Sequence, residues 1–255
     1  MKRVLALVIL TVTLASCGGG SEKNKKKESS QTGITSPAPA GQGANGLTAN
    51  EQNGINQITG FYGGSVSCSK GLASGSQKYF KIEVSKSGAL DSSMQIAELS
   101  VANISILLYS ALQEERTSYS EIRTVVNFGS GQKAERTYET DKLDMVLARM
   151  EVVIKIVGLL KDKKYDDIAP LLNDQTNIIT YKKSELINKI KKAEPGLGEI
   201  NQFIPYGFMF ATTDKQKNLL HIAGVIQRTT QNNEFSVDFD PSSTKNEAIF
   251  LNYKL

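Results

Sequence analysis

TDKLDMVLARMEVVIKIVGLL, Thr140 to Leu160, is the stretch from which the fold is read. Leu143, Val146, Leu147, Met150, Val153, Ile154, Val157 and Leu160 recur at the spacing of one helical face. Thr140 or Asp141 stands at its start as a capping residue. A helix with so continuous an apolar side needs a sheet or further helices to cover it, and the chain on either side supplies both.

Toward the C-terminus, Lys161 to Lys163 reads as a turn into a short helix, Tyr165 to Leu172, interrupted by Pro170. A brief strand, Thr176 to Tyr181, follows. Ser184 then caps a helix from Glu185 to Ala193 that Pro195-Gly196 ends. Four strands complete the chain: Ile200 to Thr212, Asn218 to Thr230, Glu234 to Asp240 and Glu247 to Lys254. Short turns join them, so each lies antiparallel to the next, and the helices cover one face of the resulting meander.

Toward the N-terminus, Gln77 to Ser85 alternates as a strand, and Asp91-Ser92-Ser93 offers caps for a helix running to about Arg116. Ile122 to Phe128 and Gln132 to Glu139 form a hairpin around Gly129-Ser130-Gly131. Residues 51–139 are thus expected to form a β-α-β-β unit, with 140–255 as a second α+β region. Asn50 to Ser76 is Gly-rich, with Phe61 and Tyr62 as its large anchors, and irregular structure is expected there.

The order helix, short helix, strand, helix and four antiparallel strands over residues 140–255 resembles the NTF2-like α+β cone. Val157-Gly158-Leu159-Leu160-Lys161-Asp162-Lys163-Lys164-Tyr165-Asp166-Asp167-Ile168 looks like the helix-turn-helix entry of that superfamily. The resemblance implies a sheet wrapped round its helices. It also implies a pocket that some members use for ligands or catalysis and others leave filled; the fold alone argues no function.

The first residues carry a second resemblance. Lys2 and Arg3 precede an apolar run, Val4 to Leu14, too short to span a bilayer, which takes about 20 apolar residues. Residues 1–16 therefore read as a signal peptide. Leu14-Ala15-Ser16-Cys17 resembles the lipobox of bacterial lipoproteins. That implies cleavage between Ser16 and Cys17, diacylglycerol on the Cys17 sulfur, and a fatty acyl chain such as palmitate on the freed amine. Two or more chains hold a protein stably on a bilayer, where one binds only marginally. Residues 17–50 then form a lipid anchor and a tether of Gly, Ser, Lys, Asn, Pro and Ala, whose composition buries too little to order it. Lys23, Lys25, Lys26 and Lys27 either touch anionic headgroups or simply solvate the tether. Gly18 stands where some retained inner-membrane lipoproteins carry Asp, so the resemblance favours the outer membrane.

Composition sets bounds on function. With 40% hydrophobic and 22% charged residues, the chain can bury an ordinary core. A net charge of +4, two positive charges of which sit at Lys2 and Arg3, is too small to argue for nucleic acid, and no basic stripe with aromatics occurs. If Cys17 is lipidated, Cys68 has no partner in its own chain; it is either a buried thiol or a redox or intermolecular one.

Candidate chemistry is sparse. His221 is the only histidine, which excludes Cys/His zinc clusters, and no metal site or cofactor motif is found. His221 shares a strand face with Leu219, Ala223 and Val225. It is read either as a half-buried strand histidine or as a general acid–base in a cone pocket, with Asp238 and Tyr206 as the other groups of suitable type. Phe203, Tyr206, Phe208 and Phe210 are either core or a stacking wall. Lys189-Ile190-Lys191-Lys192 reads as a solvated helix face. The expectation is a non-enzymatic, membrane-anchored envelope lipoprotein that binds another envelope protein or a small apolar ligand. The competing expectation is a small-molecule hydrolase or isomerase using His221, Asp238 and Tyr206.

Overall fold

A computed structural model of the chain describes residues 46–73, 77–174, 176, 178, 180–213 and 217–254. The signal peptide, the lipobox with Ser16 and Cys17, and the tether as far as residue 45 lie outside the described residues.

The first described element corrects an expectation. Instead of irregular chain, Ala49–Tyr62 is a helix, α1, opened by a capping box. The Glu51 N–H donates to Thr48 Oγ1 at 3.1 Å, and the Thr48 N–H donates to Glu51 Oε2 at 2.8 Å, so two otherwise orphaned amides are satisfied. Glu51 is buried, and its carboxylate also accepts from Lys70 Nζ at 2.9 Å and from the Tyr119 hydroxyl. Burial pushes its pKa up, but the bonds from Tyr119, Lys70 and Thr48 outweigh that and hold it below the usual glutamate value.

Strand β1 (Ser65–Leu72) pairs antiparallel with β2 (Lys78–Ser85). A short helix, α2 (Gly88–Ser92), follows, capped by Ser87, whose hydroxyl accepts from the Leu90 N–H at 3.1 Å. Asp91, expected as a cap, instead accepts from the Gly129 N–H of the Gly129-Ser130-Gly131 hairpin turn at 2.7 Å. A single 3₁₀ turn, Met94–Ile96, leads into α3 (Ala97–Leu112), which has no side-chain cap. β3 (Glu121–Asn127) lies parallel to β2, and β4 (Lys133–Glu139) antiparallel to β3, giving the order β1-β2-β3-β4. The expected β-α-β-β unit is present with α1 and β1 added in front of it.

One face of this sheet is apolar and covered: Phe80, Ile82, Val84, Ile122 and Val126 are buried. The other is a solvated lattice of charges in which Lys81 pairs with Glu83, Lys133 with Glu135 and Arg123 with Glu121. α3 is the helix at the centre. It is buried on nearly every side, because three elements close on it. Ser105 and Thr124 hydroxyls bond at 2.7 Å across to β3. Leu108 lies so near Gly54 of α1 that a Cβ there would come within 2.8 Å of it. The backbone of Leu99 abuts Gly207 of the second sheet.

α4 (Thr140–Lys161) forms as expected, but its buried face is turned from the predicted one. Val152, Ile156 and Arg149 are buried while Ile154 is 58% exposed, because neighbours cover the helix on more than one side. A 3₁₀ segment, Tyr165–Leu171, contains Pro170, and α5 (Lys183–Ala193) follows without the expected Ser184 side-chain cap. Among the described residues of the predicted strand Thr176 to Tyr181 no continuous strand forms; Thr180 stands at an isolated bridge, and Leu172 makes a parallel bridge to Ala248. β5 (Ile200–Thr212), β6 (Asn218–Arg228), β7 (Asn233–Phe239) and β8 (Ala248–Lys254) form the expected antiparallel meander in sequence order.

The chain is therefore α+β, with two mostly antiparallel four-stranded sheets and helices packed against them. One continuous hydrophobic cluster joins them, with Phe80, Ile104, Val153, Ile190, Ile222 and Phe239 among its members, and so crosses the expected boundary at residue 140. A buried ion pair fastens the second sheet to the end of α5. Arg228 meets Glu194 through two bonds, of 2.7 and 3.0 Å, and also donates to Asn233 Oδ1 and the Gly198 carbonyl.

Candidate functional site

Strand alternation sorts the residues of β6 onto two faces. Leu220, Ile222 and Ile226 face the helices and are fully buried, together with Phe208, Phe235, Val237, Phe239 and Leu251 from neighbouring strands. Phe208 packs against Tyr138 at 5.0 Å between ring centroids, and Phe203 against Phe235 at 6.1 Å. Two of the four aromatics noted in the sequence are thus core. Phe210, 38% exposed, leans on Phe208, and Tyr206 faces elsewhere.

His221 lies on the other face. Its register partner on β7 is Asp238, and Nδ1 approaches Asp238 Oδ1 to 2.6 Å, with the two side chains 27% and 15% exposed. An ionised carboxylate only accepts, so Nδ1 is the donor in this contact, and Nε2 is the ring nitrogen left without a protein partner among the described residues. A cleft of about 310 Å³ opens beside this pair, lined by Ile96, Leu99, Tyr206, His221, Ser236 and Asn252 among others. Two local features shape it. A bulge between Pro205 and Gly207 disrupts the β5 register at Tyr206. Gly207, at φ +140°, lets the start of α3 lie directly on the sheet, where any Cβ would run into the Leu99 carbonyl. Burial raises the Tyr206 phenol pKa, and the Glu234 carboxylate adds to the effect.

The three candidate residues are therefore brought to one place: His221 and Asp238 as a bonded couple, and Tyr206 on the wall of the same cleft. The place is not the packed, helix-facing side of the sheet but its opposite surface. The arrangement supplies a base and the group that orients it. Among the described residues no hydroxyl lies within hydrogen-bond distance of His221 to act as its nucleophile. No group of three His, Cys, Asp or Glu residues among them is placed to hold a metal ion. Cys68 is a free, half-buried thiol on β1, and burial, then Glu51, pushes its pKa up, away from a reactive thiolate.

A second cleft, of about 330 Å³, lies between α5 and β8, and the sequence reading did not single it out. Lys182, Glu185, Leu186, Lys189 and Ala193 line it from one stripe, spaced three or four residues apart. Tyr181, Phe250 and Leu251 line the opposite side, with Tyr181 and Phe250 in an edge-to-face contact at 6.2 Å. The Tyr181 hydroxyl is buried and meets no hydrogen-bond partner among the described residues. Burial, with the Asp174 carboxylate adding to it, pushes the phenol up to about 12. The stripe was legible as an alternation of aliphatic and lysine residues, but it reads equally as a solvated helix edge until β8 is laid beside it.

No protein family, curated protein or solved structure matches the chain.

Proposed function

We propose that the chain is a lipid-anchored protein of the bacterial envelope whose α+β body, with an NTF2-like meander behind its helices, binds a small apolar ligand. Anchoring is supported by the basic, apolar and lipobox sequence of Met1 to Cys17 and by the tether that follows. Binding rests on one observation, the apolar groove between α5 and β8, at the border of a sheet face that is elsewhere filled. At about 330 Å³ it falls near the lower end of the ~300–1,000 Å³ typical of small-molecule sites. The test has two parts. Cys17→Ala is expected to move the protein from the membrane to the soluble fraction; unchanged membrane retention refutes the anchor. Mass spectrometry of small molecules extracted from protein purified from native membranes is expected to find an apolar species that is depleted in Ala193→Phe, which fills the groove. An identical extract from both proteins refutes the groove.

A second reading, a hydrolase or isomerase, has its own support in the 2.6 Å couple of His221 and Asp238 beside an open cleft. It predicts a turnover, on a panel of esters and enolisable ketones, that is abolished by His221→Ala and strongly reduced by Asp238→Asn. Turnover that survives both substitutions removes this reading.

A further inference from the structure

We infer that the groove between α5 and β8 takes a single-chain amphiphile with an anionic head, its chain against Leu186, Ala193, Phe250 and Leu251 and its head at Lys189. This rests on the reading of the groove as an apolar ligand site and adds the charge and shape of the occupant.

The charges around the groove decide the sign of the head. Lys182 and Glu185 face each other at 3.1 Å and cancel. Glu194 also borders the groove, but both of its oxygens are held by Arg228 in the buried pair. Nearby, Lys183 faces Asp174 and Lys191 faces Asp166. Lys189 is the lining cation that meets no carboxylate among the described residues, so the rim carries a net positive charge. Below that rim the lining is aliphatic and aromatic, which suits a hydrocarbon chain and no polar metabolite. The buried Tyr181 hydroxyl is the exception. It is a neutral donor that meets no acceptor among the described residues, and a buried polar group in that state costs stability until an oxygen reaches it. A carboxylate or phosphate head supplies such oxygens; a plain hydrocarbon does not. Width points the same way, because about 330 Å³ accommodates one chain of modest length and excludes a diacyl lipid body.

The experiment uses the full chain carrying Cys17→Ala, so that its own acyl chains cannot compete, and titrates it calorimetrically with dodecanoate, dodecan-1-ol and acetate. Dodecanoate is expected to bind, dodecanol to bind more weakly, and acetate not to bind. Lys189→Glu, on an exposed position, is expected to weaken dodecanoate by roughly five- to tenfold while leaving dodecanol within about twofold. Ala193→Phe is expected to weaken both chains by about tenfold or more. Leu186→Gln gives the same readout should Ala193→Phe unfold, as judged by circular dichroism. If both chains bind, respond to Ala193→Phe or Leu186→Gln and ignore Lys189→Glu, the anionic head is wrong and the apolar groove stands. If neither chain binds, or binding ignores every groove substitution, both fall.

Discussion

β6 carries a charged couple on each of its faces, and the two differ in almost everything else. Arg228, near the strand's end, meets Glu194 with side chains 0% and 5% exposed and each guanidinium nitrogen bonded to an acceptor of the protein. His221, seven residues earlier on the opposite face, meets Asp238 with side chains 27% and 15% exposed and one ring nitrogen left over. A buried couple with its hydrogen bonds complete holds elements together. A half-exposed couple with a spare ring nitrogen beside a cleft has the capacity to act on something else.

The largest expected effect is on the packed side. Arg228→Ala leaves the Glu194 carboxylate buried without its cation, which should cost about 3–5 kcal/mol in urea denaturation. Replacing both partners, as Arg228→Met with Glu194→Leu, should recover most of that loss, because apolar groups of similar size need no charge compensation. A small effect of the single change would mean that water reaches the pair, and the contrast between the faces would weaken.

Next in size is Gly207→Ala. A side chain at φ +140° is strained, and its Cβ runs into the Leu99 backbone, so α3 must lift from the sheet. About 2–3 kcal/mol is expected. Because Leu99 also walls the outer cleft, the same variant should alter chemical shifts around His221 and Tyr206 but not around Tyr181. Equal changes at both clefts would show that they are not independent.

Acid sensitivity tests a third buried charge, in the first turn of α1. Glu51 is held below its ordinary value of 4.5. Its contribution is therefore complete above that pH and lost as pH falls through the lower, folded-state pKa. Glu51→Gln should lower stability at neutral pH by about 2 kcal/mol and flatten the acid limb of the stability profile. An acid limb that is unchanged in Glu51→Gln would assign the transition to other carboxylates.

How far these features were legible in the sequence depends on what each residue meets. The antiparallel meander and α4 follow from period and short turns, which are local. α1 was not read, although Thr48 and Glu51 spell its capping box, because Gly54 and Gly60 look like loop residues. Gly54 is in fact where α3 comes closest, a contact that appears only once both helices are placed. The burial of Val152 and Ile156 in place of Ile154 has the same origin, since a helix covered on two sides has no single apolar stripe. For β6, alternation put His221 with Leu219, Ala223 and Val225, and that grouping holds, but both faces of the strand are apolar enough to be the covered one. Only the burial of Leu220, Ile222 and Ile226 says which, and it puts His221 on the half-exposed outer face. The groove under α5 was hidden for a like reason, since Phe250 and Leu251 of its lining come from β8.

The smallest effect on stability is expected at the outer couple, and it carries the most information about function. His221→Ala removes a part-exposed bond, so a loss of about 1 kcal/mol or less is expected. The double variant with Asp238→Asn should show a coupling energy of the same small size in a denaturation cycle. A loss as large as that of Arg228→Ala would mean that the outer face is covered in the native state, by a partner or by another part of the chain, and the two faces would no longer differ in kind. A small loss leaves an ordered base on an open cleft that folding does not require. Any change in binding or turnover on His221→Ala, measured at unchanged stability, can then be assigned to the cleft itself.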